Sequence, residues 1–244
     1  MSNAVAHADA HGQAVHHPKL QHHFETMQQQ KEASTLGMWL FLLTEVLFFG
    51  GLFFAYLLYR MWYFEAFAEA SRTIQIWPGL INTAVLIGSS LTMALGVRAA
   101  QTSQRSATVR WLILTIILGL VFLGIKVYEY ADKFEHHHVP GPNFVWAEEG
   151  HEQPHSSTHG VSPDEPHFQQ HTQIFFSLYF TMTGLHAIHM IIGVGLMLVI
   201  AWMAHKGKFD EHYYTPVEMS GLYWHFVDIV WIYLFPLLYL IDRS

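Results

Sequence analysis

The chain has 244 residues, of which 52% are hydrophobic and 13% charged, with a formal net charge of −7 and no cysteine. Lack of cysteine excludes disulfides, thiolate metal sites and a cysteine nucleophile. The negative balance, without a basic stripe or zinc-finger spacing, excludes the usual footprints of nucleic-acid binding. Apolar residues gather in long blocks rather than at amphipathic spacing, which predicts membrane helices instead of soluble domains.

Residues 1–34 read as a polar tail carrying His7, His11, His16, His17, His22 and His23. Neutral imidazoles in such a tract can bind divalent metal, or simply remain solvated, and the composition cannot bury a core. The polar start and the length of the first apolar block speak against a cleavable signal peptide. The first crossing is expected over about 35–62. Glu45 falls within it, with Phe41, Phe48, Phe49 and Leu52 as helical neighbours. An intramembrane acid is by default functional; the competing reading is a protonated carboxyl that donates a hydrogen bond between helices. Gly50 and Gly51 offer a place for another helix to approach closely.

A short connector with Glu65, Glu69 and Arg72 leads to Trp77-Pro78, an interfacial helix start. The second crossing is expected over about 79–99, with Asn82, Thr83, Ser89 and Ser90 as interhelical hydrogen-bonding groups. The third covers about 109–130. Near its end Lys126 and Glu129 share a face and read as an interfacial pair, with Lys126 also able to snorkel. Residues 131–173 form a long loop that includes His136, His137 and His138. The fourth crossing, about 174–204, aligns Met182, His186, His189 and Gly193 on one stripe. Its two imidazoles could ligate haem or metal, or could bond to neighbouring helices. The fifth, about 221–241, carries His225 and Asp228 three residues apart and so on one face. An ionised Asp at mid-membrane costs roughly 2.5–3.5 kcal/mol on insertion scales, so this face should turn towards protein unless it meets headgroups.

The fold class is therefore all-α: a polytopic five-transmembrane-helix bundle, tail 1–34 followed by a membrane domain 35–244. Lys19, Lys31, Arg98, Arg105, Arg110, Lys206 and Lys208 lie on one side of the five crossings, and Arg60, Arg72, Lys133 and Arg243 on the other. That bias places the N-terminus in the cytoplasm and the C-terminus in the periplasm.

Tyr223-Trp-His-Phe-Val-Asp-Ile-Val-Trp231 resembles the closing signature of subunit III of the haem–copper cytochrome c oxidases. The likeness continues through Thr44-Glu-Val-Leu-Phe-Phe-Gly-Gly51, Trp77-Pro78 with Asn82-Thr83 and Ser89-Ser90, Lys126-Val-Tyr-Glu-Tyr130, and Gly184-Leu-His-Ala-Ile-His189. These motifs reach every expected helix, in the family's order, and are similar to its five-helix bacterial form. The extra helix pair of the seven-helix form is absent, so the lipid cleft beside that pair does not carry over intact.

The resemblance implies a non-catalytic core subunit of an aa3-type cytochrome c oxidase in the inner membrane of a bacterium. Such a subunit docks on the catalytic one, holds phospholipid, keeps proton uptake fast and slows turnover inactivation. It implies no cofactor in this chain, with haem a and copper in subunits I and II, and with subunit IV or a larger respiratory supercomplex as further partners. Glu45 matches the family's carbodiimide-sensitive acid. Glu129, His186, His189, His225 and Asp228 match its polar positions, with packing, lipid contact or local proton buffering as their implied roles. Related subunits accompany quinol oxidases and some nitric oxide reductases. An independent membrane haem or metal redox protein using His186, His189, His225 and Asp228 is the alternative of another class. A secondary transporter is a third, against which stands the lack of a visible repeat between the halves.

Overall fold

A computed structural model describes residues 19–135, 166–210 and 213–240. Six α-helices follow one another: α1 (Met27–Trp62), α2 (Phe64–Arg72), α3 (Ile76–Gln101), α4 (Arg105–Glu135), α5 (Pro166–His205) and α6 (Thr215–Phe235). A π-helical turn, Pro236–Leu240, continues α6. Five of the helices are long and apolar enough to cross a membrane; α2 is the exception. Among the described residues the sole β feature is an isolated bridge between Asp210 and Tyr213.

The helices begin and end differently from expectation, for local reasons. α1 starts at Met27, eight residues earlier, because Thr26 accepts the Gln29 N–H at 3.1 Å while the Gln29 side chain accepts the Glu25 N–H at 2.9 Å. This reciprocal arrangement satisfies amides that otherwise lack a partner at a helix start. The expected connector is instead largely helical: α2 buries Ala66, Phe67, Ala70 and Ser71, and Phe67 meets Phe175 of α5 edge to face. α4 runs to Glu135 and α5 begins at Pro166, so helix occupies both ends of the expected 131–173 loop. His136, His137 and His138 lie outside the described residues, as do His7, His11, His16 and His17 of the tail. Gly207 closes α5 with φ +70, where an L side chain would be strained; its N–H reaches the Ala204 carbonyl at 2.9 Å.

α6 is the central helix. In its most apolar window 61% of residues are buried, against 17% for α1. α3 and α5 pack along it, Gly119 and Phe122 of α4 meet its Trp224 and Trp231, and α1 leans on α5 and α6 through a seam of Leu42, Phe49 and Tyr56 at seven-residue intervals. A close fit is made at Trp224, wholly buried. Its indole occupies space left by Gly119 of α4 and Gly193 of α5, where a Cβ would come within 2.7 Å and 3.0 Å of ring atoms. Trp224 Nε1 donates to Ser89 at 2.9 Å, and Trp231 Nε1 to Thr83 at 3.1 Å. Ser89 and Thr83 thus make the interhelical bonds expected of them, as does Ser90 to His225. Asn82 does not: it is fully buried, and neither of its side-chain atoms has a partner among the described residues. Among the described residues nothing comes within 4 Å of a Cβ placed on Gly50 or Gly51, so neither serves a close approach between these helices.

The start of α1 is tied to the α5–α6 turn. Lys31 donates to Tyr214 at 3.0 Å and lies 3.5 Å from Glu218, and Lys19 pairs with Asp210. The α3–α4 turn lies at this same end, where Ser103 and Arg105 share a small hollow with Ala204 and Phe209.

Candidate functional site

Three clusters of polar groups interrupt the apolar bundle, each carrying residues singled out in the sequence. The first joins α1 to α5. His189 Nε2 lies 3.2 Å from Glu45 Oε2, and both side chains are mostly buried. The other ring nitrogen, Nδ1, sits 2.8 Å from the Leu185 carbonyl. A carbonyl oxygen only accepts, so Nδ1 carries a hydrogen. Nε2 then either accepts a proton from a neutral Glu45 or, as imidazolium, donates to the ionised carboxylate. Both forms are net neutral and differ only in where one proton rests. Phe49 packs edge-on to the imidazole at 5.2 Å, and Tyr223 donates to the His189 carbonyl at 3.0 Å. The result is a carboxyl–imidazole pair in an aromatic surround, about 18 residues from either end of α1.

The second cluster corrects the expectation for Lys126 and Glu129. They face neither lipid nor solvent, and Lys126 does not snorkel: both side chains are almost fully buried, 3.0 Å apart. Tyr179 of α5 and Tyr239 of the π turn each donate to Glu129 Oε1. Lys126 donates to Glu129 Oε2, to Tyr239 at 3.1 Å and to Tyr179 at 3.4 Å. An ammonium has three hydrogens, and here three acceptors meet them. Trp231 and Tyr130 present ring faces to Lys126 at 5.2 Å and 5.1 Å. Neither tyrosine was singled out in the sequence, where no spacing links position 179 or 239 to position 126. The π turn positions Tyr239. Pro236 has no N–H to continue the helix, and Tyr56 of α1 donates to the Leu237 carbonyl at 3.1 Å.

The third cluster lies between α3 and α6. His225 Nδ1 is 2.7 Å from Ser90 Oγ. Asp228 is 2% exposed, and among the described residues neither carboxyl oxygen has a hydrogen-bond partner of good geometry. Ser90 Oγ also stands near this carboxyl: where His225 Nδ1 donates to it, its own hydrogen can turn to Asp228.

His186 belongs to none of these. Its ring sits between Phe122 at 5.4 Å and Trp231 at 5.2 Å, and neither nitrogen has a partner among the described residues. Although one stripe was expected to hold both histidines, three helical residues turn a side chain by roughly 60°. That is enough to aim His186 at α4 and α6 and His189 at α1. Among the described residues no group of three His, Cys, Asp or Glu side chains could hold a metal ion. His186, His189 and the His225–Asp228 pair therefore lie in three separate surroundings rather than in one.

Fold and clusters together define a multi-pass helical membrane protein whose polar groups mostly serve helix-to-helix contacts. The family model for cytochrome c oxidase subunit III matches residues 15–136 and 161–242. A cytochrome c oxidase subunit 3 of Thermostichus vulcanus is 33% identical over 209 residues, covering 85% of this chain and 87% of the relative. That of Synechocystis sp. is 31% identical, covering 84% and 74%. A probable quinol oxidase subunit 3 of Staphylococcus haemolyticus is 26% identical, covering 89% and 93%. The chain belongs to the cytochrome c oxidase subunit III family and is a subunit of a haem–copper oxidase. Its working form therefore includes other oxidase subunits.

Proposed function

We propose that this chain is the non-catalytic subunit III of an aa3-type cytochrome c oxidase in the aerobic respiratory chain. On this reading it docks on subunits I and II, with subunit IV or a larger respiratory assembly as further partners. Haem a and copper reside in the partner subunits. The chain sits in a bacterial inner membrane with its N-terminus cytoplasmic and its C-terminus periplasmic, the side with more lysine and arginine facing inward. It binds structural phospholipid, supports proton uptake and slows inactivation during turnover.

The observation that carries this reading is the family match across all five long helices. The Glu45–His189 pair supports the proton-related part, because a net-neutral pair can shift one proton without creating a buried charge imbalance. Glu129, His186, His225 and Asp228 are assigned to packing and to contact with partners or lipid rather than to ligation. A second reading, subunit III of a quinol oxidase, draws on the staphylococcal relatives of that name.

Native purification through a tag on this chain tests both. The aa3 reading expects co-purifying subunits with haem a absorption, copper, and oxygen uptake driven by cytochrome c. Uptake driven by quinol alone would favour the second reading. Absence of any haem–copper partner would overturn both.

A further inference from the structure

Positive charge at the end of the bundle that holds the α3–α4 turn is unevenly matched. Lys19 pairs with Asp210 and Lys31 with Glu218. Arg98, Arg105, Arg110, Lys206 and Lys208 enter no ion pair among the described residues. Two of these, Arg105 and Arg110, line an open hollow of about 720 Å³ around the start of α4, with Gln104, Ser106 and His205. None of its lining residues is acidic. Arg110 Nε donates to the Ser106 carbonyl at 3.2 Å, which holds the guanidinium over the first turn of α4.

The hollow stands at the level of a membrane surface. Trp202, three residues before His205, is 54% exposed, and Lys206 lies over its ring at 3.8 Å. An exposed tryptophan beside a lysine at the end of a crossing belongs to the interfacial belt. From Arg110 inward the outer surface of α4 is apolar: Ile113, Leu114, Ile117, Leu120 and Val121 are all exposed. They follow Arg110 at i+3, i+4, i+7, i+10 and i+11 and so form one stripe beneath it, roughly 16 Å long. Cations at the surface above such a stripe match an amphiphile. A free anion or an acidic peptide would answer the arginines and leave the stripe bare.

The charges also select the headgroup. A guanidinium meets a phosphate through two parallel N–H bonds. The ammonium of a zwitterionic headgroup needs a carboxylate or an open aromatic face, and the residues lining the hollow supply neither. We propose that the Arg105–Arg110 hollow binds the phosphate of an anionic phospholipid without an amine, whose acyl chains run along the Ile113–Val121 stripe. The proposal rests on the lipid-binding part of the oxidase reading and adds to it a place and a headgroup class.

The test uses the whole oxidase complex, purified through a tag on this chain and placed in phosphatidylcholine nanodiscs. Phosphatidylglycerol with a photoactivatable diazirine in one acyl chain is added below saturation. Adducts mapped by peptide mass spectrometry are expected within residues 113–121, and the same diazirine on phosphatidylcholine is expected to give few there. Arg105→Gln/Arg110→Gln should cut the phosphatidylglycerol adduct about 25-fold, at roughly fivefold for each surface cation lost. Adducts on the exposed α1 residues Leu40 and Leu47 should not change. Arg105→Lys/Arg110→Lys keeps the charge and should restore most of the yield. Equal labelling by the two lipids, an undiminished yield in the glutamine variant, or displacement by inorganic phosphate at the same concentration would overturn the proposal. So would a benzophenone on Ile117→Cys that labels another oxidase subunit in place of lipid. If phosphatidylglycerol labels other faces of the chain but not this one, only the site is wrong. If it labels none, the lipid-binding reading fails too, while co-purifying haem–copper subunits decide the oxidase reading separately.

Discussion

Removing Glu129 should harm the bundle more than removing Lys126, although the two form one ion pair. Glu129→Leu leaves an ammonium in a site with almost no solvent and strips both Tyr179 and Tyr239 of their acceptor. Loss of one partner from a buried pair costs about 3–5 kcal/mol, and this variant should fall in that range. Lys126→Met is milder. The remaining carboxyl can take up a proton and still accept from two tyrosine hydroxyls, so roughly 2 kcal/mol is expected. The double variant Lys126→Met/Glu129→Leu removes both charges and should be more stable than Glu129→Leu alone, because no unpaired charge remains. Unfolding of the purified chain in mixed micelles by increasing SDS, followed by helicity, would give the three values. Equal losses for the two single variants, or strict additivity in the double one, would refute the reasoning, since groups in contact should couple.

Gly119→Val should lower stability by about 1–3 kcal/mol, since even its Cβ would stand 2.7 Å from the rigid Trp224 indole; thermal unfolding in detergent checks this, and Gly88→Val, with open space beside it, is the control. Glu45→Gln should assemble normally and change sustained turnover only modestly, because its amide can donate to Nε2 of a neutral His189. Complete loss of oxygen reduction in a fully assembled Glu45→Gln complex would contradict an accessory role. Thr26→Ala should fray the first turn of α1 at a cost of about 1 kcal/mol, seen as faster amide exchange at Gln29 with no change around Trp224.

The five crossings were legible because each apolar block is as long as a bilayer is thick. The pairing of Glu45 with His189 was not, since they lie 144 positions apart and spacing along one helix says nothing about which neighbour a face meets. The burial of Lys126 is hidden in the sequence for a specific reason. With α4 expected to stop near 130, Lys126 sits in its last turns and can snorkel; with α4 reaching Glu135 it lies about 7–8 Å further from the helix end. The early start of α1 did have a signal, Thr26 followed by Gln29, in a stretch whose polarity suggested a tail. α2 had one too, the apolar positions Ala66, Phe67 and Ala70 among charges, but nine residues give little period to recognise. Trp224 and its two glycines were visible only as a tryptophan in one helix and small residues in two others. Their fit depends on α4, α5 and α6 meeting at one level.

The sharpest test is the visible spectrum and oxygen uptake of this chain purified alone and then returned to an oxidase preparation stripped of it. The account predicts a colourless protein with no oxygen uptake, whose return lengthens the active life of the stripped oxidase. A haem band or dioxygen reduction from the lone chain would contradict it.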